Sequence, residues 1–165
     1  MRNKSEHKDR LVYKIILVLL VLCIILSLII LYEKIGYVTN SANVVSNFCS
    51  ALAPANECYT VQTSSYSETF GISNPYYGIF GFGVLAIFAG IIVLSHKENK
   101  WLKYAIIAGT IISGVAALRF LYLQAFTIKA YCIFCVIIDI LAVALMMLGA
   151  YILIYDISKP AKKFK

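Results

Sequence analysis

The sequence has little charge. Asp, Glu, Lys and Arg together make up 14% of its 165 residues, whereas a soluble domain carries about 25%. It has two histidines and one tryptophan, and no segment shows the strict alternation of apolar and polar residues that the strands of a membrane β-barrel require. So little charge excludes a soluble enzyme, a disordered tail and a DNA-binding module.

Apolar residues take the place of the missing charge. They make up 61% of the chain, and the mean hydropathy is +0.84. A protein of this size has too small an interior to hide that much apolar surface from water. The composition therefore indicates an integral membrane protein, with the lipid bilayer as its first partner.

Four segments are long and apolar enough to cross a membrane, which takes about 20 residues. We expect helices there, because a helix satisfies its own backbone hydrogen bonds in lipid. The predicted fold is an all-α membrane protein, a four-transmembrane-helix bundle that forms one domain over residues 1–165. The predicted spans lie at about 12–35, 75–95, 101–126 and 130–155, and a long extracytoplasmic loop at 36–74 joins the first two.

Basic residues predict the orientation of the bundle. The loop at 36–74 contains no Lys or Arg. The positive-inside rule therefore places both termini and the connection between the second and third spans in the cytoplasm, with the long loop outside. This topology accounts for the net charge of +7, so we expect no nucleic-acid partner. The basic residues on the predicted inner side are Arg2, Lys4, Lys8, Arg10, Lys97, Lys100, Lys103, Lys159, Lys162, Lys163 and Lys165.

Five cysteines are the strongest candidates for function. Cys23 lies in the middle of the first span, where a free thiol usually behaves as a small apolar residue. The other four fall on the predicted outer side. Cys49 and Cys58 lie in the long loop and enclose eight residues, while Cys132 and Cys135 form a CxxC motif at the outer start of the fourth span.

The four outer cysteines have three interpretations. Outside the cytoplasm disulfides persist, so the two pairs are either redox-active or structural staples. A CxxC at a helix start closes almost no loop and is a poor staple, whereas residues i and i+3 share a helix face and a helix N-terminus favours reactive thiolates. A metal site built from all four thiolates is the third interpretation. Both histidines, His7 and His96, lie on the inner side, and we expect no metal.

The order of these motifs resembles the vitamin K epoxide reductase family, in particular its prokaryotic homologues. The resemblance rests on the four spans, the loop pair Cys49 and Cys58, the segment Phe70–Pro75 with Gly78 just beyond it, and the final CxxC. It covers almost the whole chain. It implies a membrane thiol–disulfide oxidoreductase that supports disulfide bond formation.

The resemblance also implies an electron route. Cys49 and Cys58 would exchange disulfides with a thioredoxin-fold partner, a separate secreted or periplasmic thiol protein. Cys58 would pass the electrons to Cys132 through a mixed disulfide, and Cys135 would complete their transfer to a membrane quinone of the ubiquinone, menaquinone or vitamin K type. Reduction of vitamin K or of its epoxide is the alternative activity within the family.

Further residues are predicted to line the quinone site. Ser64 matches a Ser/Thr position of the family, and Val61–Phe70 would form a short amphipathic helix on the membrane surface. Phe80 and Phe134 are aromatic residues at the right depth. Asp139 is an acidic residue inside a span, which is costly, so we expect it to have a function. It is either held protonated or relays a proton to the reduced quinone, and the alternative is a packing hydrogen bond to a Ser or Tyr. Animal members of the family carry at that position a tyrosine that helps to bind vitamin K. This chain has Asp139 there, so the resemblance does not imply the animal type of vitamin K recognition.

The alternative to an enzyme is a structural membrane protein of the claudin type. Such proteins also have four spans and a cysteine pair in a loop, but they carry tryptophans before that pair. The one tryptophan here, Trp101, lies at the predicted inner face, and a claudin-like protein needs no outer CxxC. We therefore predict a redox enzyme in the cell membrane, or in the endoplasmic-reticulum membrane of a eukaryotic cell.

Overall fold

Long helices make up most of the chain. In the computed structural model, which describes residues 2–39, 57–95 and 99–158, the α-helices are α1 (Arg2–Val38), α2 (Glu57–Thr63), α3 (Asn74–Ser95), α4 (Lys100–Tyr122) and α5 (Ile133–Ser158). All except the short α2 belong to segments long and apolar enough to span a membrane. The predicted all-α membrane fold with four spanning helices is therefore confirmed.

The outward surfaces of the spanning helices are strongly apolar. Val18, Ile87, Ile112 and Ile154, one from each spanning helix, are more than half exposed, at 59%, 62%, 68% and 67%. Apolar side chains on every outward face would form far larger patches than a soluble monomer tolerates. The same side chains are in their preferred surroundings in hydrocarbon, so this surface is that of a protein embedded in lipid.

The spanning helices pack as two pairs. α1 contacts chiefly α3, and α4 contacts chiefly α5, while α1 also meets α5 and joins the pairs together. The core between them contains apolar side chains with no exposure, among them Ile16, Leu20, Ile106 and Leu145. Cys23 lies in the same core as a free thiol, which is the position of a small apolar residue.

A glycine allows α4 and α5 to approach each other closely. A Cβ atom at Gly149 would overlap the hydroxyl of Thr110, a fully buried residue of α4. That hydroxyl is fixed, because it donates to the carbonyl oxygens of Ile106 and Ile107, both at 2.9 Å. Gly83 of α3 is different, since a Cβ atom there would meet nothing within 4 Å.

The segment that leads into α3 departs from its predicted form. The prediction of a helix over Val61–Phe70 is wrong in its bounds, because α2 covers Glu57–Thr63 and a 3₁₀ turn follows at Ser65–Ser67. Ser64 ends the helix: its backbone N–H and its hydroxyl both donate to the carbonyl of Val61, at 3.4 and 2.8 Å. Serine side chains compete in this way with the continuation of a helix.

A small hairpin connects the 3₁₀ turn to α3. Its strands, β1 (Glu68–Thr69) and β2 (Ile72–Ser73), pair antiparallel with Thr69 opposite Ile72. Phe70 and Gly71 form the turn, and both have positive φ, 53° and 77°. Positive φ at both central residues is what a type I′ turn requires, and this turn matches the natural twist of a hairpin.

Substitution of Gly149 should destabilise the contact between α4 and α5. We expect Gly149→Ala to lower the free energy of unfolding by roughly 1–3 kcal/mol, the usual cost of an overpacked core, because Thr110 cannot move without losing its hydrogen bonds. The measurement is thermal unfolding of the purified protein in detergent. Gly83→Ala is the matched control and should leave the stability unchanged or raise it slightly; equal effects of the two variants would contradict this account of the packing.

Candidate functional site

Cys58 and Cys132 lie in one buried cluster, although 74 positions of sequence separate them. Its fully buried members are Cys58, Val61, Ala130 and Cys132, and the exposed fractions of the two cysteines are 4% and 0%. Partly buried residues that pack against the cluster include Phe134 and Cys135, together with Ile128 and Ile133. The structure thus brings three of the four predicted cysteines, and one of the two predicted aromatic contacts, to one place.

The cysteines of this cluster differ in their bonding. Cys58 is disulfide-bonded, whereas Cys132 and Cys135 are free thiols. Cys49, the remaining predicted site cysteine, lies outside the described residues. The CxxC therefore stands as a dithiol beside a loop cysteine that is already oxidised.

Cys132 caps the N-terminus of α5. The helix begins at Ile133, and the carbonyl of Cys132 accepts its first bond, from Val136 N–H at 2.9 Å. The sulfur of Cys132 accepts a second bond, from the backbone N–H of Cys135 at 3.4 Å. A side-chain acceptor at the residue before a helix usually satisfies an N–H group of the first turn, and here a thiol sulfur takes that role.

Gln124 connects the CxxC to Asp139, a link that sequence reasoning missed. Its amide oxygen accepts the backbone N–H of Cys132 at 3.2 Å, and its amide nitrogen donates to Asp139 Oδ2, also at 3.2 Å. The side chain is 3% exposed, so both bonds are buried. The signal available in the sequence is a lone glutamine at the end of an apolar span, eight residues before Cys132.

The backbone around Gln124 is π-helical. The wider turn covers Leu123–Ile128 at the end of α4 and stops at Lys129, whose φ is +56°. π-Turns are rare and occur frequently at functional sites. This local widening, which a periodic apolar pattern does not predict, is the backbone form in which the Gln124 amide meets both Cys132 and Asp139.

Asp139 lies one turn beyond Cys135 on α5 and is 6% exposed. The sequence predicts for it a protonated carboxyl group or a proton relay, or else a packing hydrogen bond to a Ser or Tyr. Among the described residues its hydrogen-bond partner is the Gln124 amide, so the bond is to a residue type that the sequence prediction did not name. The amide fixes the position of the carboxyl group but brings no positive charge to it.

Two contacts hold α2, the helix that carries Cys58, against the spanning helices. At its start, Glu57 Oε2 accepts the backbone N–H of Tyr131 at 3.2 Å, just before the CxxC. Farther along, Gln62 Nε2 donates to Glu33 Oε2 of α1 at 2.6 Å. Gln62 is 3% exposed and Glu33 has no exposure, so the second contact is fully buried and fixes where Cys58 lies.

The hairpin after α2 is tied to α1 as well. The ammonium group of Lys34 lies 3.0 Å from Glu68 Oε1 and donates to Ser67 Oγ at 3.1 Å. The Tyr77 hydroxyl donates to the Thr69 carbonyl oxygen at 3.0 Å from the side of α3. The whole segment from Cys58 onward is therefore anchored to the bundle, and it presents Cys58 on the side of the CxxC.

The remaining predicted quinone contacts are placed unequally. Ser64 is partly buried and bonds to Val61, a member of the buried cluster, so it borders the site. Phe80 is 76% exposed on the outward side of α3 and is not among the residues that pack against the cluster. In the described part of the chain, Ser64, Phe134 and Asp139 thus lie near the cysteines, and Phe80 does not.

The chain matches a family model described as the vitamin K epoxide reductase family over residues 14–150. This range includes every predicted site residue, from the loop cysteines to Asp139. A search of curated proteins found no match.

Removal of the Gln124 amide should leave two buried polar groups without partners. We expect Gln124→Leu, which keeps the size of the side chain, to lower the free energy of unfolding by about 1–3 kcal/mol for each group left unsatisfied. Thermal unfolding in detergent measures the loss. Phe126→Leu in the same π-turn is the control, because Phe126 is 67% exposed and should tolerate the change; a loss confined to Phe126→Leu would contradict the bridging role.

Proposed function

Because the chain belongs to the vitamin K epoxide reductase family, whose members are membrane redox enzymes of quinone and thiol chemistry, we propose that it passes electrons from a thioredoxin-fold partner to a membrane quinone. In this role it supports disulfide bond formation in proteins outside the cytoplasm. The observation that carries the proposal is the burial of Cys58 and Cys132 in one cluster. Thiol–disulfide exchange requires one sulfur to attack another directly, and this packing supplies the proximity.

The loop cysteines are the proposed entry point for electrons. Cys49 and Cys58 form a disulfide that the partner's thiols reduce. The Cys58 thiolate then attacks Cys132 of the oxidised CxxC: a Cys58–Cys132 bond forms, the Cys132–Cys135 bond breaks, and Cys135 leaves as the thiolate. Attack of Cys49 on Cys58 restores the loop disulfide and leaves both CxxC cysteines reduced. A bonded Cys58 beside two free CxxC thiols is the product state of this exchange.

The helix cap assists the exchange at Cys132. When Cys49 displaces Cys132 from the mixed disulfide, negative charge develops on the Cys132 sulfur. The backbone N–H of Cys135 already points at that sulfur, and a hydrogen bond to a charged acceptor is about twice as strong as one to a neutral acceptor. The first turn of α5 therefore stabilises the leaving group.

The residues around Cys135 fit a quinone. Phe134 offers a partly buried aromatic face next to the cysteines, Ser64 borders the cluster with a hydroxyl, and Asp139 places a carboxyl group one turn deeper. A bound quinone would accept two electrons and two protons from the CxxC dithiol. Asp139 would hold or transfer a proton at its carboxyl oxygen, and Gln124 would keep that carboxyl in position.

The proposed topology has the cysteine cluster outside and both termini in the cytoplasm. It rests on the positive-inside rule and fits the inner ends of α4 and α5. There the Lys103 ammonium group forms an ion pair with Asp156 at 2.6 Å, and Trp101 is 65% exposed, as in an interfacial aromatic belt. The thiol partner would thus meet α2 from the aqueous side, while the quinone arrives through the bilayer.

Turnover with purified components tests the function. The protein, reconstituted in liposomes, should oxidise a reduced thioredoxin-fold protein only when menaquinone or ubiquinone is present. Thiol titration measures the oxidation of the partner, and absorbance measures the quinol that forms. Cys135→Ser should abolish quinone-coupled turnover, because no second thiol remains to close the disulfide. Cys23→Ala is the control and should retain the rate, since Cys23 lies in the helix core; turnover that survives Cys135→Ser would refute the electron route.

Trapping of the mixed disulfide tests the contact between the two pairs. The variant with Cys49→Ser and Cys135→Ser leaves Cys58 and Cys132 without their usual partners, and we expect a Cys58–Cys132 disulfide after mild oxidation, detected by mass spectrometry of non-reduced peptides. The control carries Cys49→Ser and Cys132→Ser, which leaves Cys58 with Cys135. An equal or higher yield of the Cys58–Cys135 bond would contradict the assigned order.

A further inference from the structure

Two consecutive backbone N–H groups lead into the CxxC from the short segment between the π-turn and α5. Both are satisfied by side chains of other elements. The N–H of Tyr131 donates to Glu57 Oε2 of α2 at 3.2 Å. The N–H of Cys132 donates to the Gln124 amide oxygen, also at 3.2 Å. The proposed function uses Gln124, which also holds a carboxyl group, but it gives no part to Glu57.

The bond of Glu57 joins the neighbours of the two cysteines that must react. Glu57 directly precedes Cys58 in the chain, and Tyr131 directly precedes Cys132. Both cysteines belong to the same buried cluster, with exposed fractions of 4% and 0%. A hydrogen bond one residue before each sulfur-bearing residue therefore holds the two backbones together beside the place where the sulfurs meet.

α2 depends on such contacts for its position. It has seven residues, whereas an isolated helix shorter than about 12 residues is marginal in water. It contacts α1 and the π-turn. The bond of Gln62 near its end reaches Glu33 of α1 and leaves the distance to the CxxC unset. Of the two side-chain bonds, the one made by Glu57 ties α2 to the segment that carries Cys132.

A disulfide between two elements needs this kind of control. The Cα atoms of bonded cysteines lie about 4.4–6.8 Å apart, and their Cβ atoms must point toward each other. Thiol–disulfide exchange further requires that one sulfur attack the other directly. A small shift of α2 along the CxxC segment would take Cys58 out of this narrow range, even though both cysteines stayed in the apolar cluster.

We propose that Glu57 is a positioning residue for the exchange between the two cysteine pairs; this inference rests on the proposed function. The Cys58 thiolate attacks Cys132, the Cys58–Cys132 bond forms, the Cys132–Cys135 bond breaks, and Cys135 takes the electron pair. Glu57 exchanges no proton or electron in this step. Its carboxyl oxygen accepts the N–H of Tyr131 and so keeps the Cys58 sulfur within reach of Cys132.

The test measures the pairing of Cys58 with Cys132 without quinone or thiol partner. The variant with Cys49→Ser and Cys135→Ser is equilibrated with reduced and oxidised glutathione, and mass spectrometry of non-reduced peptides gives the effective concentration of the pair. Added Glu57→Ala should lower this concentration about 5-fold, the effect of one typical intramolecular hydrogen bond.

Conservative variants separate the hydrogen bond from the charge. Glu57→Gln removes the charge, as Glu57→Ala does, but its amide oxygen can still accept the N–H of Tyr131, so we expect it to retain the wild-type effective concentration. Glu57→Asp keeps the charge but is one methylene group shorter, and it should show part of the loss. A value for Glu57→Gln as low as that for Glu57→Ala would overturn the proposal.

The matched control lies in the same helix. Thr63 is exposed, and its hydroxyl donates to the Tyr59 carbonyl within α2 at 2.7 Å, so Thr63→Ala should leave the effective concentration unchanged. An equal loss in Thr63→Ala, or no loss in Glu57→Ala, would refute the positioning role. Failure of the wild-type protein to transfer electrons to any quinone would instead refute the proposed function, and it would leave the measured dependence on Glu57 unaffected.

Discussion

No water is available inside a bilayer to satisfy a polar group, so every polar group there must find its partner within the protein. The described spans meet this demand in different ways at their two ends. At one end of α4 and α5, Lys103 neutralises Asp156. At the other, glutamine amides hold Glu33 and Asp139. The first arrangement pairs a carboxylate with a cation, whereas in the second a neutral amide donates to each carboxyl group.

The same constraint gives the site its geometry. Gln124 accepts the buried backbone N–H of Cys132, just before α5, and donates to the Asp139 carboxyl, so the CxxC, the π-turn and the acidic residue form one unit. Gln62 and Glu57 dock α2 on the spanning helices and thereby fix the depth of Cys58. A small number of polar contacts, buried except for the one between Glu57 and Tyr131, thus hold the elements that carry the three cysteines.

The parts of the structure that follow from local sequence could be predicted. Long apolar runs predict the four spanning helices, and a CxxC after a tight turn predicts cysteines at a helix start. The contacts that complete the site could not, because they join residues far apart in sequence: Glu33 meets Gln62, and Gln124 reaches Asp139 only through a π-turn. The hairpin was missed for another reason, since it places Phe70, a bulky residue, at positive φ, where local preference argues against it.

In the proposed electron route, the sulfur of Cys132 is both a reactant and a structural element of α5. It closes the first turn of the helix by accepting the N–H of Cys135, and in the proposed electron route it would change its covalent partner in each cycle. A bond from Cys132 to Cys58 or to Cys135 redirects the lone pairs that receive this N–H. If electrons pass through Cys132 as proposed, each change in its oxidation state would also change the hydrogen bonding of the backbone at the start of a membrane helix.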